Sequence, residues 1–107
     1  MRVLLDESVP RALGFAIEGH FVRTGQTAGF SGLQNGVLLV EMKRAGFDVL
    51  VTFDQNLPYQ QNMVLPVAIM VLVAPNNRVE TAMKFIPAIQ AQLASLKDGE
   101  VVRLELP

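Results

Sequence analysis

The sequence has no Cys and no Trp, a single His, a single Tyr and only 18% charged residues among its 107. The lack of cysteine removes disulfides, thiolate metal sites and cysteine nucleophiles together, and says little about compartment. His20 stands without a Ser, Cys or second His in a readable motif, which argues against a nucleophile–base pair or an imidazole metal site. No sign of charge dominates, because Lys+Arg 9 stand against Asp+Glu 10 for a formal net charge of -1. General nucleic-acid or anionic-membrane binding therefore has no electrostatic footprint, although RNA cleavage through local bases and metal ions stays open. A long apolar run is missing too. The longest, residues 63–74, spans 12 residues and contains Pro66, short of the about 20 that cross a bilayer, so no membrane partner is expected. The opening residues reach Asp6 too early for the apolar core of a secretory signal, which makes the cytoplasm the expected location.

What is present is apolar content of 50% in a chain of 107 residues, enough for one domain over 1–107 with a single core and too much for a disordered segment. Function must then rest on a few polar side chains. Val3-Leu4-Leu5 reads as a strand ending at Asp6, and Ser8 with Pro10 as the cap and first turn of a helix reaching about Ile17. Gly19 ends that helix, Phe21–Thr24 forms a second strand, and the glycine-bearing stretch 25–32 is a loop. A helix from about Asn35 to Ala45 is stopped by Gly46, and Val49–Phe53 is a third strand running into Asp54. Val67–Val73, with no polar residue, has the character of a parallel strand covered on both faces. Asn77 and Glu80 resemble a capping box opening the longest helix, its apolar residues at helical spacing as far as Leu96 and a kink at Pro87. Asp98-Gly99 turns the chain into a half-exposed edge strand over Val101–Leu106. This alternation predicts a three-layer α/β/α sandwich on a mostly parallel five-stranded sheet.

In such sheets ligands bind beyond the carboxyl ends of the strands, where neighbouring connections leave for opposite faces. Asp6 and Asp54 end the first and third strands and would flank that crevice if those strands are neighbours. Clustered carboxylates repel, and Mg²⁺ or Mn²⁺ is the usual relief. Capping by Asp6 and a turn at Asp54 with Asn56 and Pro58 are the equally ordinary structural uses. Helical angles set Glu41 beside Val37, Leu38, Met42 and Ala45 on an apolar stripe, where a carboxylate needs a partner or a purpose. It lies about 9 Å along the helix from Asn35, at ~1.5 Å per residue. Arg11 and Arg78 belong to the same sheet edge and could hold a phosphate oxygen, neutralisation of Asp6 or Glu7 being the more ordinary use of Arg11. The polar run Tyr59-Gln60-Gln61-Asn62 beside Asp54 offers either a buried network or a substrate wall.

Leu4-Leu5-Asp6-Glu7-Ser8-Val9-Pro10, Gly32-Leu33-Gln34-Asn35-Gly36 and the stretch Gly46 to Asn62, with Asn77-Arg78 and Gly99 to Arg103, resemble a family of short bacterial PIN-like proteins. The similarity runs over nearly the whole chain. It implies a PIN-like α/β sandwich whose acids bind Mg²⁺ or Mn²⁺ and activate water to cut RNA phosphodiesters. It also implies a toxin role with a small antitoxin as partner, and a homo-oligomer is a further expectation. On this resemblance Asp6 and Asp54 match the metal-binding acids and Glu7 the acid beside the first. Asn35, Gln60, Arg11 and Arg78 become candidate substrate contacts. Relatives carry an acid soon after the Asn-Gly pair where this chain has Val37, and Glu41, one turn later, would replace it as a metal ligand only imperfectly. Two other functions compete. One is a PIN-like binding or regulatory protein without turnover, which Val37 favours. The other is a receiver-like phosphoacceptor at Asp54, which lacks the hydroxyl residue after strand four and the Lys after strand five.

Overall fold

The computed structural model describes residues 1–57 and 65–106. Five strands, β1 (Arg2–Leu5), β2 (Phe21–Thr24), β3 (Val49–Thr52), β4 (Ala68–Val73) and β5 (Val101–Glu105), form one sheet in the order β2-β1-β3-β4-β5. Every pairing is parallel, with Val3 beside Val22 and Val49, and Leu50 beside Ile69. Strand side chains alternate between faces, and the apolar runs divide accordingly. Val3, Leu5, Val51, Met70 and Leu72 enter one core with Leu13, Phe85, Ile89 and Leu93. Leu4, Leu50, Ile69 and Val71 enter a second with Leu38, Leu39 and Met42. Two apolar faces need two covering layers, so the chain is a three-layer α/β/α sandwich.

The helices are α1 (Leu13–Ala16), α2 (Asn35–Arg44), α3 (Val79–Met83) and α4 (Ile86–Leu93). Helix α2 ends as its sequence predicts: the Gly46 N–H donates to Lys43 O at 3.0 Å and the Phe47 N–H to Met42 O at 2.9 Å. That closure needs a left-handed residue, and Gly46 has φ +90°. None of the described helices is long and apolar enough to cross a membrane.

Three local expectations are corrected. The first helix does not start at Ser8, because the Ser8 hydroxyl is engaged elsewhere, and residues 10–15 close through i to i+3 bonds such as Leu13 N to Pro10 O at 3.1 Å. The long C-terminal helix is two helices. Pro87 sits in the first turn of α4, and its ring would collide with the carbonyl four residues back, at Met83, where α3 ends. The capping box at Asn77 is absent as well: the Asn77 Nδ2 donates to Ser8 O at 2.8 Å, while Asn76 Oδ1 accepts the Arg78 N–H at 3.1 Å and the Thr81 hydroxyl at 2.7 Å. Asn76 thus forms an Asx turn leading into α3, whose N-cap, Arg78, has no side-chain cap.

Candidate functional site

Since β2 and β3 flank β1 on opposite sides, the chain leaves β1 toward the α1 face, while α2 covers the other. The switch point lies at the carboxyl ends of β1 and β3, where ligands bind in sheets of this kind. Asp6 follows β1 there, half-buried, with its N–H donated to Val51 O at 2.9 Å.

The carboxylate of Asp6 is gripped by two hydroxyls. Ser8 Oγ donates to Asp6 Oδ2 at 2.9 Å and Thr52 Oγ1 donates to the same oxygen at 2.7 Å. Each hydroxyl in turn accepts a backbone N–H from beyond β3, Phe53 to Ser8 Oγ at 3.0 Å and Asp54 to Thr52 Oγ1 at 3.0 Å. Two parallel relays therefore run from consecutive amides through Ser8 and Thr52 onto one carboxylate oxygen. Thr52, fully buried, is the one polar residue in the described core, and Asp6 is the acceptor its hydroxyl requires. Oδ1 of Asp6 makes no hydrogen bond among the described residues.

The other acids are engaged separately. Glu7 Oε1 accepts the Gly32 N–H at 3.2 Å and the Ser31 hydroxyl at 3.4 Å, which draws the loop before α2 over the β1 end. Asp54 Oδ1 accepts the Asn56 N–H at 3.0 Å, an Asx turn. Glu41 pairs with Arg44 at 3.0 Å, and the stripe assigned to it is also corrected. Leu38, Leu39 and Met42 are buried in α2 whereas Val37 is 51% exposed and Ala45 exposed, so Glu41 lies at the margin and has its partner one turn on.

Among the described residues, which include every Asp, Glu and His of the chain, no three such side chains are grouped to hold a metal ion.

A polar cleft of about 340 Å³ opens beside the site, lined among others by Asp6, Glu7, Arg11, Thr24, Gln26 and Ser31. A smaller one of about 80 Å³ brings Asn35 to Asp6 and Glu7. Arg11 does not neutralise either acid, contrary to its ordinary use, and its exposed guanidinium makes no ion pair with a described residue. Arg78, at the N-cap of α3 and one residue from the Asn77–Ser8 link, is likewise exposed and its guanidinium makes no ion pair with a described residue. Gln60 lies outside the described residues. Sequence reasoning missed Ser8 and Thr52 as partners of Asp6; a lone Thr closing an apolar strand, two residues before an Asp, was the signal. Comparisons with family models, with curated proteins and with solved structures give no match.

Proposed function

We propose that this chain is a PIN-like domain that binds RNA phosphodiesters at the carboxyl edge of its sheet and acts as a binding or regulatory protein. The observation that carries the reading is a division of labour at that edge. Every acid there has an intrachain donor, whereas Arg11 and Arg78 are exposed and uncommitted. Guanidinium groups match phosphate oxygens in two parallel hydrogen bonds. Asn35 and the hydroxyls of Thr24 and Ser31 add neutral contacts around the clefts. A small antitoxin would silence such a site, in the cytoplasm, by covering Arg11 and Arg78. Binding is expected to weaken in Arg11→Ala and Arg78→Ala, each lowering the slope of log affinity against log salt by roughly 1. No RNA binding by the parent at low salt, or a salt slope unchanged in both variants, overturns the reading.

A second reading keeps turnover. Its support is the way Ser8 and Thr52 orient Asp6 through Oδ2 alone, because metal-binding carboxylates are themselves held by outer hydrogen bonds. Mg²⁺ commonly takes only one or two protein carboxylates together with substrate phosphates. In this reading Asp6, with Asp54 or Glu7, would hold Mg²⁺ or Mn²⁺, and the ion would supply an activated water. Calorimetric Mn²⁺ titration in the presence of RNA, with Asp6→Asn alongside, decides. Heat and Mn²⁺-dependent RNA cleavage that both vanish in the variant favour the ribonuclease. RNA binding that is indifferent to Mn²⁺ and to Asp6→Asn favours the binding protein.

A further inference from the structure

A second cleft, about 510 Å³, lies between α1 and the edge strand β2, and its walls include Arg11, Phe15, His20, Phe21, Arg23 and Thr27. That volume is in the roughly 300–1,000 Å³ range of small-ligand sites. Its lining carries cationic and aromatic groups and no acid. Phe15 projects from α1 with 88% of its surface exposed and joins none of the ring pairs of the described residues. The Phe21 ring turns to the opposite face of the sheet, against Phe47, with the Arg2 and Arg23 guanidinium groups 4.2 Å and 4.0 Å from its centroid, which leaves Arg11 as the cationic side chain on the α1 side of the cleft. The floor comes from Leu5, Gly14 and Val22, where a Cβ on Gly14 would sit 3.3 Å from Val22 Cγ1 and require that side chain to shift by a few tenths of an ångström. Arg11 and Thr24 line both this cleft and the polar one beside Asp6, so the two adjoin.

An edge strand beside an apolar cleft suggests capture of an extended peptide, but β2 is closed to that. Phe21 N–H and Gly25 N–H donate inward to Met1 O at 3.1 Å and Leu5 O at 2.9 Å, which turns the amides and carbonyls of Val22 and Thr24 outward. Arg23 Nη1 covers Val22 O at 3.0 Å, Thr27 Oγ1 accepts the Thr24 N–H at 3.1 Å, and Ala28 N–H donates to Thr24 O at 3.0 Å. Only the Val22 N–H is left for a pairing strand. Blocking of this kind suppresses β-addition. A ligand that uses ring faces and phosphate charge instead of a backbone ladder remains.

We propose that this cleft takes a nucleobase of single-stranded RNA, stacked on Phe15, with Arg11 meeting a flanking phosphate. The proposal rests on RNA binding at the carboxyl edge, which it extends by naming the strandedness and the base contact. Stacking on an aromatic face is open to any base and needs it unpaired, so the cleft selects single strands without a sequence code. Arg11, common to both clefts, sets one phosphate at the junction of base cleft and polar edge.

The test is fluorescence anisotropy with a short fluorescein-labelled single-stranded RNA and with the duplex of the same sequence, at one low salt concentration. The parent is expected to prefer the single strand. Phe15→Ala should weaken single-strand binding about fivefold or more while leaving duplex binding unchanged, and Phe15→Trp should retain it. An unchanged far-UV circular dichroism spectrum, expected for so exposed a ring, certifies the fold. Equal binding of single strand and duplex by the parent overturns the base cleft. So does parental affinity in Phe15→Ala alongside a loss in Arg11→Ala, a result that leaves RNA binding at the polar edge standing. No RNA binding by the parent at all overturns both readings. A dimer of the parent that Phe15→Ala converts to monomer in sedimentation assigns the cleft to a second copy. Displacement of the RNA by a Leu-containing oligoglutamate assigns it to an acidic peptide. Either result overturns the proposal.

Discussion

The junction of β1 and β3 and the β2 edge sit side by side at one end of the sheet and treat their charges in opposite ways. At the junction Asp6, Ser8, Thr52 and the amides of Phe53 and Asp54 satisfy one another. Along the edge Arg11 and Arg23 have no acid partner among the described residues, and Phe15 has no ring partner there. The difference follows from depth. Thr52 is fully buried at the end of a central strand, where an unpaired hydroxyl is costly, whereas the groups on the edge strand can fall back on water. Polar residues at the centre are therefore tied into the fold, and those at the rim are available to a ligand.

The largest effect that tests this contrast belongs to Asp6→Ala. The substitution strips two hydroxyls of a charged acceptor and leaves Thr52 buried without one, an expected loss of about 3 kcal/mol in urea unfolding. Asp6→Asn keeps an oxygen acceptor and should lose less than half as much. If Asp6→Ala proved neutral or stabilising, the carboxylate would be a destabilising group kept for function, and the junction would resemble the edge. Thr52→Val follows, at about 2 kcal/mol, because it orphans the Asp54 amide and removes one of the donors to Asp6. Thr52→Ser, which keeps both bonds, is the control.

The same contrast explains what the sequence disclosed. Strands were legible because both faces of the sheet are covered, so β4 is an uninterrupted apolar run and β3 is apolar up to Thr52; the end of α2 was legible because Gly46 supplies the left-handed residue there. The placement of Asp6 at a strand end was legible for the same reason. The starts of the first and last helices were not, although α2 begins at Asn35 as expected. Ser8 and Asn77 have the composition of caps, but the hydroxyl and amide that would cap their own helices reach instead to residues 45 and 69 positions away in sequence. Local pattern rules do not see such partners. The Arg44 partner of Glu41, one turn on in α2, was likewise not singled out. Gly14 was legible only as a helix residue, whereas its closeness to Val22 shows that it shapes the cleft beneath Phe15.

Along the edge, and at Arg2 of β1 whose guanidinium lies over the edge ring Phe21, the expected stability effects are small. Arg2→Ala removes a guanidinium from 4.2 Å above the Phe21 ring and from 5.1 Å off that of Phe47. About 0.5–1 kcal/mol should be lost, read from the thermal midpoint. Arg11→Ala with Arg78→Ala should change stability by less than about 0.5 kcal/mol while lowering affinity for RNA. A large destabilisation by that pair would mean the two cations belong to the fold, and the distinction between centre and rim would collapse.

The smallest effect lies at the opposite end of the sheet, where Lys43 of α2 and Asp98 before β5 meet at 2.8 Å with both side chains well exposed. The hydrogen bond and the charge of Asp98 raise the Lys43 ammonium above its ordinary 10.5. A cation whose pKa is higher in the folded state stabilises that state in full below the unfolded value, and the contribution disappears as pH rises through the folded value. Stability should therefore decline as pH climbs past 10.5, more steeply in the parent than in Asp98→Asn. Urea midpoints across that range, repeated in high salt, provide the measurement. Salt screens an exposed pair and should bring the parent toward the variant. It should leave the Asp6→Ala deficit almost untouched, because the oxygen lost there is shielded by Thr52 and Ser8 rather than by solvent. A salt-sensitive Asp6→Ala deficit would place Asp6 with the rim.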